Sequence, residues 1–119
     1  MPFQYILANL LAQSHAVGVL FLDNTGETVD VACSDFTPYE MRVLGAYLGI
    51  YLKQMGTSLE SWAMGEPKLV HIEKERLHIY ALPLPEGYYL VLVQRRPALV
   101  GKARILLDRA GEQLVKALF

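Results

Sequence analysis

The chain of 119 residues has a single cysteine and almost no net charge, with 12 acidic and 11 basic residues. The lone cysteine, Cys33, excludes a disulfide within the chain and fits a reducing compartment. A net charge of −1 gives no overall field that would attract nucleic acid or an anionic membrane. No apolar run reaches the roughly 20 residues that cross a bilayer, and no basic segment begins a signal peptide. We therefore expect a cytoplasmic protein that neither binds nucleic acid nor inserts into membranes.

The sequence also lacks the motifs that identify common catalytic and cofactor sites. No glycine-rich phosphate loop follows an apolar strand pattern, and the CxxC and HExxH motifs of zinc sites are absent. Asp108 and Glu112 share one helix face, but ion pairing with Arg104 and Arg109 in solvent explains them better than acid–base catalysis. We expect no catalytic residue, no cofactor and no bound metal, and hence a protein that is not an enzyme.

What is present is a succession of helical and strand patterns within the length of one domain. The patterns predict a helix over 3–11, strands at 17–23 and 27–33, a helix over 38–56, strands at 68–73, 77–82 and 88–94, and a helix after Pro97 that includes Leu99. Short connections indicate an antiparallel sheet, and the two nearly all-apolar strands, 17–23 and 88–94, indicate a sheet covered on both faces.

The order α-β-β-α-β-β-β-α therefore predicts an α+β fold in a single domain, residues 1–119. We expect a three-layer α/β/α sandwich around a five-stranded antiparallel sheet. The middle helix should lie on one face of the sheet and the two terminal helices on the other.

Two local signals mark element boundaries. The stretch Asp23-Asn24-Thr25-Gly26 is typical of a tight hairpin turn. Thr37-Pro38-Tyr39-Glu40 is a capping box with proline at the first helical position, flanked by Phe36 and Met41 as a hydrophobic staple. Gly56 is expected to end the helix that begins there.

The middle helix has more apolar surface than one sheet can cover. At 100° per residue its apolar side chains span an arc of roughly 220°, whereas a helix on a globular core needs only about 100°. These side chains are Tyr39, Met41, Val43, Leu44, Tyr47, Leu48, Ile50, Tyr51, Leu52 and Met55. The excess predicts a second covering partner, either another copy of the chain or a different protein.

Two glycines inside this helix, Gly45 and Gly49, share one side with Arg42, Ala46 and Lys53. Each interior glycine costs about 1 kcal/mol relative to alanine, so a close approach should compensate for it. Our interpretation is an intermolecular contact along that side, while tight packing on the chain's own strands is the alternative. The strand at 68–73 is expected at a sheet edge, where pairing with its own copy would remove an exposed edge.

His71 and His78 lie on neighbouring predicted strands. A hairpin turn at Lys74-Glu75 would place His71 opposite His78 and Glu73 opposite Arg76. Two histidines make a thin metal site, so we favour polar residues on a sheet surface, with a pH-sensitive patch as the alternative.

Five segments carry a resemblance that covers nearly the whole chain. They are AVGVLFLDNTGETV at 16–29, the long apolar helix after Thr37, WAMGEPKLVHIEKERLHIYAL at 62–82, GYYLVLV at 87–93 and the terminal helix that begins near Leu99-Val100-Gly101-Lys102. In these segments the chain resembles the Roadblock (dynein light-chain) superfamily, in particular its bacterial GTPase-regulator branch. The resemblance implies the Roadblock/profilin-like fold, and with it the order of helices and strands predicted above.

Members of that family form homodimers or heterodimers through the middle helix and the third strand. For this chain the resemblance implies dimer or partner contacts at Arg42, Gly45, Ala46, Gly49, Lys53, Val70 and Ile72. Many members act on Ras-like small GTPases, and others are adaptors. The resemblance thus implies a non-enzymatic homodimer that modulates the nucleotide state of a small GTPase. A scaffold without effect on nucleotide turnover is the alternative, followed by a small-ligand sensor with Trp62 and the tyrosines in its pocket.

Overall fold

The computed structural model describes residues 2–63, 65, 67–95 and 100–119, and only the backbone at 2, 60, 61 and 100. Its elements are α1 (Pro2–Ser14), β1 (Gly18–Leu22), β2 (Thr28–Cys33), α2 (Pro38–Ser61), β3 (Val70–Glu73), β4 (Leu77–Pro83), β5 (Tyr89–Arg95) and α3 (Val100–Leu118), with one 3-10 turn at Pro85–Gly87. This is the predicted order α-β-β-α-β-β-β-α. The predicted start of the last helix near Pro97 and Leu99 lies outside the described residues.

The five strands form one antiparallel sheet in the order β2-β1-β5-β4-β3. β1 and β5 lie at its centre, and all five residues of β1 are buried. The prediction that the strands at 17–23 and 88–94 are covered on both faces is therefore confirmed. A strand buried on two faces is apolar throughout and does not alternate with polar residues.

Two hydrophobic clusters cover the two faces of the sheet. One contains residues from α1, α3 and the sheet face that carries Phe21, Tyr80 and Leu92. The other contains residues from α2 and the opposite face, including Leu20 and Val91. The three-layer arrangement predicted from the sequence is confirmed, with α1 and α3 packed against each other on one side and α2 alone on the other.

The hairpin turn between β1 and β2 is held by one carboxylate. Oδ1 of Asp23 accepts hydrogen bonds from the Thr25 hydroxyl at 2.6 Å and from the backbone N–H groups of Thr25 and Glu27 at 2.9 and 3.0 Å. These bonds, led by the Thr25 hydroxyl, hold the pKa of Asp23 below its usual value. Gly26 closes the turn at φ +88°, a conformation that glycine adopts without a Cβ penalty.

The start of α2 is confirmed as a capping box, but its end lies beyond the predicted position. The Glu40 N–H donates to the Thr37 hydroxyl at 3.1 Å, and the Thr37 N–H donates to the Glu40 carboxylate at 3.0 Å. The helix then passes through Gly56 and continues to Ser61. A helix that ends at a glycine usually has a positive φ at that glycine. In the described chain after Gly56, positive φ first occurs at Ala63 and Gly65, so the prediction that Gly56 ends the helix was wrong.

The β3–β4 hairpin differs from the predicted register by one residue at its tip. His71 pairs with Tyr80 and Glu73 pairs with His78, so neither His71–His78 nor Glu73–Arg76 is a directly opposite pair. The turn closes through the Lys74 N–H, which donates to the Leu77 carbonyl at 2.8 Å. Moving the tip by one residue shifts the pairing by two and leaves every side chain on its face, so alternation of apolar residues could not distinguish the two registers.

Candidate functional site: the outer face of α2 and the edge strand β3

The outer face of α2 is apolar and open to solvent. Its buried side presents Met41, Leu48 and Leu52 to the sheet, each no more than 4% exposed. The opposite side carries five exposed apolar residues, which we call the α2 outer face: Tyr39 (76% exposed), Val43 (38%), Tyr47 (64%), Ile50 (56%) and Tyr51 (66%). The excess apolar arc read from the sequence therefore corresponds to real surface that this chain leaves uncovered.

The two helical glycines face the chain's own sheet. A Cβ built on Gly45 would lie 3.0 Å from Leu20 Cδ1, and one built on Gly49 would lie 3.0 Å from the Cα of Gly26. The close approach that we assigned to another chain is made within the chain, between α2 and the β1–β2 hairpin. The intermolecular interpretation of these glycines is corrected accordingly, and the alternative of tight packing on the chain's own strands is the one observed.

The charged side of α2 lies beside these glycines. Arg42, Ala46 and Lys53 are all exposed. Helical geometry places all three within about 60° of Gly49, on the flank that faces the β1–β2 turn. These residues remain available to a partner, but they adjoin the part of α2 that packs over β1 and β2.

Val70 and Ile72, the predicted contacts on the third strand, lie on the α2 side of the sheet but at the edge opposite β2. They are half-buried on β3 and pack in the same cluster as Leu44 and Met55 from the opposite flank of α2. The structure therefore does not bring Val70 and Ile72 together with Arg42, Ala46 and Lys53. The flank with Leu44 and Met55 was missed in the site prediction, although the apolar arc of the helix had included both residues.

β3 is an edge strand, with β4 as its strand partner among the described residues. It has four residues that alternate between half-buried and exposed side chains. An edge of this kind presents backbone N–H and C=O groups that another chain can pair with. β2 forms the other edge of the sheet. The α2 outer face and the β3 edge are both open to a second chain, and they are the surfaces that the sequence had indicated for self-association.

An imidazole pair lies on the face of β3 that points away from α2. His71 Nε2 and His78 Nδ1 are 2.9 Å apart, a hydrogen bond in which one ring donates and the other accepts. The His71 ring also stacks on Tyr80, with ring centroids 4.5 Å apart and an angle of 18° between the planes. The two histidines therefore interact diagonally across the hairpin, although they are not opposite in register.

A cleft of about 420 Å³ opens where the β1–β2 turn and the β4–β5 turn approach the second half of α2. Its lining includes Asp23, Lys53, Tyr88 and Tyr89, whereas Trp62 is 75% exposed and does not line it. The volume lies within the range of ligand sites. However, the Asp23 carboxylate is already engaged in its own turn, and the other charged residues of the lining are Lys53 and Glu86, which have opposite charges.

Within the described ranges, no three His, Cys, Asp or Glu side chains are grouped to hold a metal ion. The same part of the chain contains no helix long and apolar enough to cross a membrane. Cys33 is half-buried at the end of β2.

No protein-family model matches the sequence, and no curated protein matches it in sequence. Solved structures match it closely in fold. Myxococcus xanthus MglB has a TM-score of 0.88 at 16% identity, over 97% of this chain and 93% of that one. A structure described as MglB with a tetrameric arrangement has a TM-score of 0.86 at 20% identity, over 97% and 88%. A Roadblock/LC7 domain from Streptomyces avermitilis has a TM-score of 0.85 at 13% identity, over 96% and 95%.

These similarities extend over almost the whole chain and confirm the expected architecture, while identities of this size establish fold and not activity. The fold that the resemblance in five sequence segments implied is thereby confirmed: the chain has the Roadblock/LC7 fold, as seen in MglB.

Proposed function

We propose that the protein is a non-enzymatic homodimer of the Roadblock superfamily that binds a Ras-like small GTPase and modulates its nucleotide state. The observation that carries this proposal is the α2 outer face, an apolar surface on a helix whose other side is fully packed. Monomeric proteins rarely expose contiguous apolar patches beyond a few hundred Å², and larger ones mark interaction sites. A small GTPase as partner accords with a cytoplasmic location.

A symmetric dimer suits this surface. Two α2 helices crossing antiparallel would bury Tyr47, Ile50 and Tyr51 against their copies, in a closed arrangement that uses one patch twice. The β3 edges of two copies, with Val70 and Ile72 beside them, would extend the contact. The fold neighbour described as tetrameric shows that an MglB can self-associate.

The GTPase part of the proposal rests on the family resemblance and on the charged flank of α2. Arg42, Ala46 and Lys53 are exposed beside the outer face and carry two positive charges. Charges at the rim of an interface mainly steer association and select the partner. We therefore assign these three residues to partner binding and assign the tyrosines to the dimer.

The dimer is tested by sedimentation velocity at micromolar concentration, with Tyr47→Glu as the disrupting variant. Tyr5→Glu is the matched control, since Tyr5 is a comparably exposed tyrosine (72%) on α1. We expect wild type and Tyr5→Glu to sediment as dimers and Tyr47→Glu as a folded monomer. A monomeric wild type would contradict the dimer.

The GTPase is tested by using the protein as bait in lysate from its source, with a GTP analogue and GDP compared by mass spectrometry. We expect a small GTPase to be captured in one nucleotide state, and the purified GTPase to change its hydrolysis or exchange rate when the protein is added. Binding that leaves both rates unchanged would replace the regulator by the scaffold.

A further inference from the structure

Three rings are stacked on the sheet face away from α2, next to the β3 edge. His78 is 5% exposed and Tyr80 1% exposed, while His71 on the edge strand is exposed to solvent. The centroids of His71 and His78 are 5.1 Å apart, and both rings lie within 30° of parallel to Tyr80. The 2.9 Å bond between the two imidazoles therefore links the edge strand to a buried residue of β4.

This bond limits how many protons the pair can hold. Two neutral imidazoles share it, and so does one imidazolium with one neutral ring, because one nitrogen still accepts. Two imidazolium rings have only N–H donors facing each other, so the second proton must break the bond.

The charged residues of the hairpin that carries the pair are Glu73 on β3 and Lys74, Glu75 and Arg76 in the β3–β4 turn. On the same side of the sheet, Arg104 and Asp108 of α3 lie within about 60° of Gly111, which packs on Leu82 of β4. Opposite His78, β5 contributes the neutral Gln94, whose amide donates to the Ser14 carbonyl of α1.

In the register of the described hairpin, the acidic residue directly opposite a histidine of the pair is Glu73, which is paired with His78. A second proton on the pair would place two imidazolium rings within the 2.9 Å that now joins their nitrogens. Tyr80 does not compete for protons in this range, since burial raises the pKa of its hydroxyl above the usual value.

We propose that the His71–His78 pair makes the β3 edge sensitive to acid: the second proton breaks the imidazole bond, loosens β3 from β4 and weakens the dimer that uses this edge. The inference rests on the proposed dimer and adds a regulation to it.

The direction of the effect follows from His71. The ring of His71 is partly desolvated where it stacks on Tyr80. This desolvation first, and then the charge of His78, lowers the pKa of His71 below its ordinary value of 6.5. The paired state binds fewer protons than a state with the bond broken. The contribution of the His71–His78 bond to holding β3 on β4 is therefore complete well above pH 6.5 and is lost as the pH falls below that value.

The test measures the dimer Kd by sedimentation equilibrium at pH 7.5 and pH 5.5. If each of two copies must bind one extra proton to separate, the wild-type Kd rises about tenfold or more over this interval. In His71→Gln, the ratio of the Kd at pH 5.5 to the Kd at pH 7.5 should fall to about the value of a dimer in which no group at the β3 edge takes up a proton. His15→Asn is the control, because it removes the third histidine at a turn position with φ +54° and should keep the full ratio.

The second readout follows backbone amide exchange of residues 70–73 relative to β1 and β5. Faster exchange at 70–73 alone at pH 5.5, after correction for intrinsic rates, is the expected result, and His71→Gln or His71→Thr should abolish the acid-dependent difference. An unchanged Kd ratio in His71→Gln, or a dimer that tightens in acid, would overturn the inference. A chain that is monomeric at both pH values would contradict the dimer, whereas exchange at 70–73 would still decide whether the edge loosens.

Discussion

Adding one methyl group at Gly49 tests whether α2 packs on its own hairpin as described. The Cβ of alanine at this position would lie 3.0 Å from the Cα and 3.3 Å from the carbonyl oxygen of Gly26. Both atoms belong to backbone in a turn that the Asp23 carboxylate holds with three hydrogen bonds. The obstacle therefore cannot rotate away as a flexible side chain would.

Two opposing effects set the magnitude. Replacing glycine by alanine within a helix gains about 1 kcal/mol. Overpacking at a tight contact costs about 1–3 kcal/mol, and a fixed backbone favours the upper half of that range. We therefore expect Gly49→Ala to lose about 1–2 kcal/mol of unfolding free energy.

Gly56→Ala is the matched control in the same helix, since a Cβ there meets nothing within 4 Å. This variant should gain about 1 kcal/mol, so the two alanines should differ by about 2–3 kcal/mol. Urea unfolding at one fixed protein concentration measures the difference, because the stability of a dimer depends on concentration. Equal stabilisation of both variants would refute the packing of Gly49 on Gly26 and would revive an intermolecular contact at this glycine.

Three further predictions concern single side chains. Thr37→Ala removes half of the capping box and should lower the unfolding free energy by about 1 kcal/mol in urea; no change would show that the box contributes nothing. The hydrogen bonds of Asp23 favour its charged form, so their contribution to folding stability is lost as the pH falls below 3.8. Asp23→Asn should therefore flatten the decline in thermal midpoint between pH 5 and pH 3. An equal slope in both proteins would contradict this expectation. Arg42→Glu should weaken binding of the partner while keeping the unfolding free energy within about 0.5 kcal/mol of wild type in urea, and unaltered assembly and binding would exclude this flank.

The fold could be predicted because its signals are local and agree with one another. A capping box at Thr37, a turn at Asp23-Gly26 and two wholly apolar strands each point to one arrangement of layers. The end of α2 was missed because a glycine permits a stop without enforcing one. The hairpin tip was missed because registers that differ by two residues bury the same faces.

The candidate site could be predicted only in part. The apolar arc of the middle helix identified a surface that needs covering, and the structure shows that surface exposed. The role of Gly45 and Gly49 could not be settled from the sequence, since small residues permit close approach to any neighbour. Which flank of α2 adjoins β3 depends on where the helix crosses the sheet, and this position is a tertiary property. The diagonal contact of His71 with His78 likewise depends on register.

We propose above that a second copy of the chain covers the α2 outer face. The most direct measurement is the mass of the protein in solution by sedimentation at micromolar concentration. We expect twice the 13.4 kDa of one chain, with reversion to the single-chain mass in Tyr47→Glu and not in Tyr5→Glu. A wild-type protein with the mass of one chain, or a dimer that Tyr47→Glu leaves intact, would contradict it.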